Sequence, residues 1–237
     1  MINGLRVLAV VPARGGSKGI PMKNLRTIRG KSLVSIAAEI ARNVPEIDRR
    51  VISTDRPEIA RVAQAEGLDA PFMRPADISG DRIGDWDVLV HALRETENAD
   101  GLQYDIVVML QPTSPMRLES DVSGTIRMLV EGGYDAVWSL SKSDTKGHPL
   151  KQLIVRDERM DYWDPRGAEI IARQQLEAVY HRNGVAYAIT RNCLLDQKTI
   201  KGRRTGAYIV TTENISIDTE WDIDLIEFIL SRDANAT

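Results

Sequence analysis

The chain has 237 residues, 43% of them apolar and 27% charged, with 31 basic against 34 acidic side chains and a formal net charge of −3. That length and composition suit one or two globular domains and exclude a disordered chain, while the slight acidic excess excludes a general polyanion or nucleic-acid binder. A single cysteine, Cys193, excludes an intrachain disulfide and a cysteine-rich zinc site. Apolar runs reach only about five residues, against the roughly 20 that a membrane span needs. The opening Met1-Ile2-Asn3-Gly4 lacks the basic and apolar stretches of a secretory signal. The expectation is a cytoplasmic protein with no membrane segment.

Short apolar runs alternate with amphipathic stretches. Residues 5–13, broken only by Arg6, predict a buried strand. Residues 32–43 place Leu33, Ile36, Ala37, Ile40 and Ala41 on one helical face, with Ser32 as cap and Pro45 past the end. A strand follows at 50–54. Pro57 then opens a second helix that turns Ile59, Val62 and Ala63 inward and stops at Gly67. A third helix is expected over 85–97, with Leu89, Ala92 and Leu93 inward, and a strand over 105–110. Ser120 is the expected cap of a fourth helix carrying Ile126, Leu129 and Val130, before a strand at 135–140.

This rhythm predicts an α/β fold with a mainly parallel sheet covered by helices. Ligands of such sheets sit beyond the carboxyl ends of the strands, here after Ala13, Thr54, Gln111 and Leu140. From Lys142 the pattern breaks. Residues 142–181 are polar, with short alternating pieces such as 152–156, and predict an insertion. Strand character returns at 184–190 and 207–212. A last helix over 221–231 is expected to present Leu225, Phe228 and Ile229.

The first strand runs into Pro12-Ala13-Arg14-Gly15-Gly16-Ser17-Lys18-Gly19-Ile20-Pro21-Met22-Lys23-Asn24. Three glycines let backbone N–H groups come close to a ligand, and Arg14, Lys18 and Lys23 add cations. The combination suits a triphosphate, whose leaving group needs charge compensation. The competing reading is a surface turn with solvated charges. The spacing fits neither G-x-x-x-x-G-K-[ST] nor G-x-G-x-x-G. Pro21 and Asn24 delay the next helix to about residue 32, so loop amides and basic side chains have to hold the anion, more than a helix terminus.

From Val11 to Asn24 the segment closely resembles the signature of the acylneuraminate (CMP-sialic acid) cytidylyltransferases. The resemblance continues, in order, through Ser53-Thr54-Asp55, Arg74-Pro75-Ala76, Leu110-Gln111-Pro112-Thr113-Ser114-Pro115, His148-Pro149-Leu150-Lys151, Arg173-Gln174-Gln175, Asn183-Gly184 and Ile217-Asp218-Thr219-Glu220. It implies that the anomeric hydroxyl of a 2-keto-3-deoxy sugar acid, such as a sialic or related nonulosonic acid, attacks the α-phosphorus of CTP. Pyrophosphate leaves and a CMP-sugar forms. The implied fold is a three-layer, Rossmann-like nucleotide-binding domain (1–141 and 191–237) with an insertion (142–190) for dimerisation and sugar binding, and the implied assembly is a homodimer.

The same resemblance implies the residue roles. Arg14 and Lys23 match positions on the CTP phosphates and are the expected catalytic cations. Ala13, Ser17 and Lys18 belong to the same nucleotide loop, Asn24 matches a nucleotide contact, and Arg74 matches a position near cytosine. Gln111, Lys151, Arg173 and Tyr187 match the sugar side, although Tyr187 also suits a core aromatic. Asp218 matches the second aspartate of a metal-binding Asp-x-Asp pair, which implies Mg²⁺. A hard cation bound through one or two carboxylates plus phosphates fits that assignment.

The sequence departs from the family pattern in two places. Ser216 stands where the first aspartate of the pair is expected, and Gly80-Asp81-Arg82-Ile83-Gly84-Asp85 replaces a run of small Ser and Thr residues that the resemblance puts near the nucleotide, where the bulkier Arg82 and Ile83 imply different base or ribose contacts. Asp85 reads as a helix cap, Asp222 and Asp224 as acids that favour a helix N-terminus, and Cys193 as a buried small hydrophobe. No histidine is assigned as a general base. The alternatives are a 3-deoxy-manno-octulosonate cytidylyltransferase, whose phosphate loop differs from this one, and a non-catalytic nucleotide-binding homologue, for which Ser216 is the only argument.

Overall fold

The computed structural model describes residues 1–17 and 19–234. In chain order its elements are β1 (Val7–Pro12), β2 (Thr27–Ile28), β3 (Lys31–Ser32), α1 (Leu33–Asn43), β4 (Arg49–Ser53), α2 (Pro57–Ala65), α3 (Asp85–Asp100), β5 (Ile106–Met109) and α4 (Glu119–Gly132). There follow β6 (Ala136–Lys142), β7 (Leu153–Arg156), β8 (Arg159–Tyr162), β9 (Tyr180–Thr190), α5 (Arg191–Leu195), β10 (Thr205–Ile209) and α6 (Glu220–Ala234).

Six strands form one sheet in the order β10-β6-β9-β5-β1-β4. β1 runs parallel to β4 and β5, and β10 parallel to β6. β9 runs antiparallel to both its neighbours, β5 and β6. Strand side chains alternate between two cores. Val7, Ala9 and Val11 join Val34, Ile59 and Ile126 from α1, α2 and α4 on one face. Leu8 and Val10 join Leu89, Leu93 and Cys193 from α3 and α5 on the other. The unbroken apolar run of β1 therefore reflects burial on both sides, giving helix–sheet–helix layers.

A third cluster lies beside these two. Ile20 of the glycine-rich loop, Ile28, and Leu33 of α1 pack with Ile217, Ile223 and Ile226 from the end of the chain. Burying a side chain such as Ile20 or Ile217 is worth about 1.5–3 kcal/mol. That contact fixes the amino-terminal loop against the carboxyl-terminal segment.

Four local expectations change. α4 begins at Glu119, so Ser120 lies inside its first turn; the Asp121 carboxylate accepts the Leu118 N–H (3.2 Å) instead. α3 is preceded by Gly84 as its cap, and Asp85 is its first helical residue with no capping hydrogen bond. α6 buries Ile223 and Ile226, not Phe228, which stays exposed. It carries two apolar stripes, and docking over Ile20, Ile28 and Leu33 selects one of them. Finally, the chain rejoins the sheet at Tyr180, inside the span expected to be an insertion. The excursion outside the sheet holds the β7–β8 hairpin and short 3-10 turns. No helix among the described residues is long and apolar enough to cross a membrane.

Candidate active site

The chain leaves β1 to one side for β4 and returns on the other side for β5, and a ligand crevice is expected at that switch in strand order. A cavity of about 560 Å³ opens there, lined by Arg14, Lys23, Arg74, Gln111, Asp81, Asp85 and Asp218 among others.

Met22 adopts a left-handed backbone (φ 50°) that turns the loop into a short 3-10 segment, Lys23–Leu25. Lys23 thereby reaches 195 residues along the chain. Its ammonium donates to the Ile217 carbonyl (2.7 Å) and to Asp218 Oδ1 (3.1 Å). Gly19 permits this approach, since a Cβ there would lie 2.6 Å from the Asp218 carbonyl oxygen. Asp222 anchors the other side by accepting the N–H groups of Asp218 (2.9 Å) and Thr219 (2.7 Å). Burial works to raise the Asp222 pKa, but those N–H donors outweigh it and hold the carboxyl below its ordinary value.

Arg14 pairs with Asp81 at 2.5 Å, and its backbone carbonyl accepts from the buried Asn24 amide at 2.9 Å. The Gly15 N–H donates to Asp55 Oδ1 (2.8 Å), tying the loop to the end of β4. Ser17 lines the cavity; Lys18 lies outside the described residues. Ala13 does not line it. That residue is wholly buried, with its N–H spent on the Ser53 carbonyl (2.9 Å). Arg74 is 6% exposed, and its Nε and one terminal nitrogen have no protein partner. Burial lowers its pKa, Asp55 opposes that shift and Arg14 adds to it. A desolvated guanidinium with unused donors at a cavity wall is built to meet a ligand's acceptors.

On the far wall, Gln111 follows β5 and is held by Arg117, whose wholly buried guanidinium donates to the carbonyls of Gln111, Ser114 (3.0 Å) and Gly184 (3.4 Å). Burial pushes the Arg117 pKa down to about 9. Gly184 has φ +71°, and a Cβ there would collide with Gln111 Oε1 at 2.5 Å. Tyr187 is in the core rather than on the cavity wall. Its hydroxyl accepts the Gly184 N–H (3.1 Å) and its ring lies 5.5 Å from that of Trp138, tilted by 35°. Lys151 and Arg173 are exposed on the excursion, away from the cavity of this single chain, and Ser216 is exposed without lining it.

The structure therefore brings Arg14, Ser17, Lys23, Asn24, Arg74, Gln111 and Asp218 to one cavity, and leaves Ala13, Lys151, Arg173 and Tyr187 off its wall. Among the described lining residues three cations face three carboxylates. A triphosphate meets the negative charge of these carboxylates, and a cation that came with it would offset that repulsion.

A profile of the cytidylyltransferases matches residues 8–232. The chain belongs to the cytidylyltransferase family. A post-translational flagellin modification protein B of Campylobacter coli is 27% identical over 95% of both chains. A CMP-N,N'-diacetyllegionaminic acid synthase of Legionella pneumophila is 28% identical, covering 98% of this chain and 99% of its own. A pseudaminic acid cytidylyltransferase of Campylobacter jejuni is 26% identical over 95% and 96%. The fold resembles that of a CMP:2-keto-3-deoxy-manno-octonic acid synthetase complexed with CTP, with TM-score 0.69, 20% identity, and 96% and 99% of the two chains covered.

Three residues of this cytidylyltransferase's cavity region received no part in the site from the sequence: Asp81, Asp85, which was read only as a helix cap, and Arg117. The first two sit in the segment that departs from the family pattern, which was the available signal. Nothing in the sequence marks Arg117 as buried.

Proposed function

We propose that the protein transfers CMP from CTP to the anomeric hydroxyl of a nonulosonic acid, a 2-keto-3-deoxy sugar acid of the sialic, legionaminic or pseudaminic type. The observation that carries this is the Lys23–Asp218 pair. It joins a basic glycine-rich loop and a carboxylate from opposite ends of the chain in one cavity. The names of the relatives, which span nearly its full length, support the substrate class.

In this mechanism Arg14 and Lys23 bind the triphosphate and offset the charge that develops on the departing pyrophosphate. Ser17 and Lys18 add loop contacts. Asn24 fixes the loop through the Arg14 carbonyl, and Arg74 offers its free donors to the base. Gln111 orients the sugar acid, with Tyr187 supporting that wall from behind. Lys151 and Arg173 contribute from the excursion, in a dimer whose second copy covers the exposed Val155, Met160 and Trp163.

Asp218 suits a magnesium ion. Its side chain is 80% exposed with one oxygen engaged by Lys23, and Mg²⁺ shared with phosphates needs only one or two protein carboxylates. When bound, the ion would neutralise phosphate charge and acidify the attacking hydroxyl. A cytoplasmic location, where CTP is at hand, fits this reading.

The test is pyrophosphate release, crossing CTP, UTP and ATP with several nonulosonic acids and 3-deoxy-manno-octulosonate, with and without EDTA. Turnover with CTP and a nonulosonic acid, abolished by EDTA, is expected. A preference for the eight-carbon acid would shift the substrate class, and no turnover with any pair would leave a nucleotide-binding homologue.

A further inference from the structure

Transfer to an anomeric hydroxyl needs a group to take that hydroxyl's proton, and no histidine lines the cavity among the described residues. Three carboxylates do. Asp218 is engaged by Lys23, and Asp81 by Arg14, the two cations expected at the phosphates. Asp85 differs. It opens α3 and lines the cavity, yet it caps no N–H of that helix and accepts no hydrogen bond from any described residue.

The surroundings of Asp85 place it toward the sugar end. Its electrostatic partners are Arg182 and Tyr187, both on β9. The Tyr187 hydroxyl binds the Gly184 N–H, and Gly184 lies against Gln111, the residue matched to the sugar. A partly desolvated carboxylate without a donor costs the fold stability. Such an acceptor makes physical sense where a ligand supplies the donor. Burial also raises its pKa against the pull of Arg182, toward the range in which a carboxylate accepts a proton more readily.

We propose that Asp85 is the general base of the transfer. This rests on the cytidyl-transfer function proposed above. As the anomeric oxygen bonds to the α-phosphorus of CTP, its proton passes to a carboxylate oxygen of Asp85. The bond from the α-phosphorus to the bridging oxygen breaks, and its electron pair leaves on pyrophosphate. The base thus acts in the same cavity as the cations that receive the leaving group, without being one of their partners among the described residues. Asp85 also belongs to the segment where this chain departs from its family's small residues, so the role is a feature of this sequence.

The experiment compares the full-length wild type with Asp85→Asn and Asp85→Ala, reading pyrophosphate release with CTP and the sugar acid that the wild type uses best. Asp85→Asn is expected to lower kcat by about 100-fold or more, with KM for CTP unchanged. Its melting temperature should stay level or rise, because a desolvated carboxylate that accepts no hydrogen bond from the described residues is removed. Added formate should restore part of the Asp85→Ala rate. Wild-type kcat in Asp85→Asn would overturn the proposal. So would a raised KM for the sugar acid with unchanged kcat, which makes Asp85 a binding residue, or a rate loss that tracks a fall in melting temperature. A wild type inactive with CTP and every sugar acid overturns the cytidyl-transfer function itself, and this inference with it.

Discussion

Lys23 and Asp218 are separated by 194 intervening residues, yet their side chains meet at 3.1 Å. Arg14 and Asp81 form a second such pair at 2.5 Å. Under the proposed function, each cation is held near its working position before a phosphate arrives, which lowers the ordering cost of binding. Lys23→Ala is expected to lower kcat/KM by two to four orders of magnitude, about 3–5 kcal/mol of transition-state stabilisation. Steady-state kinetics on a variant with an unchanged melting temperature checks this, and an unaltered kcat/KM removes Lys23 from the chemistry. Asp218→Asn should abolish most turnover while CTP binding stays detectable by calorimetry, because the cationic loop survives. Equal turnover in variant and parent would detach Asp218 from the metal. The basic loop was legible in the sequence because glycines and cations were contiguous. The carboxylates facing it were harder to read, since only their positions in space make them partners.

At the scale of elements, α6 matters through its first turn. Thr219 and Asp222 have the spacing at which a third-position carboxylate reaches back to the capping N–H, and here Asp222 also holds the Asp218 N–H. The sequence read Asp222 as favouring the helix N-terminus, and the contacts add a direct link to the site. Asp222→Ala is expected to lower stability by about 1 kcal/mol at neutral pH. The folded pKa of Asp222 lies below its unfolded value, so its contribution is complete above the unfolded value and is lost as pH falls through the folded one. The stability gap between wild type and variant should therefore narrow as the pH is lowered from neutral to below the ordinary carboxylate range. Denaturant unfolding at both pH values measures it, and a gap independent of pH would exclude the carboxylate as its source. The buried face of α6 was not legible, because Ile223/Ile226 and Leu225/Phe228/Ile229 are equally good stripes until a partner surface exists.

At the scale of the whole molecule, the excursion between β6 and β9 exposes more apolar surface than a lone hairpin warrants. Val155, Met160 and Trp163 are each about two-thirds exposed and Ile171 is 94% exposed. A second copy of the chain would cover them. Sedimentation at micromolar concentration should give a dimer, and Trp163→Asp together with Val155→Asp should shift it toward monomer. A monomeric wild type would refute the assembly and leave Lys151 and Arg173 without a route to the cavity.

The sequence by itself determined the α/β layering, the basic glycine-rich loop and the collinear family blocks, because each depends on neighbours in the chain: periodicity, turn chemistry and contiguous charge. Only the tertiary structure decided that β9 runs antiparallel inside the sheet, that Arg117 is buried behind Gln111, and that Asp85 faces the cavity without a donor among the described residues. Those properties depend on what lies across a gap. Burial and hydrogen-bond satisfaction are set by groups distant in sequence, and no local pattern encodes them.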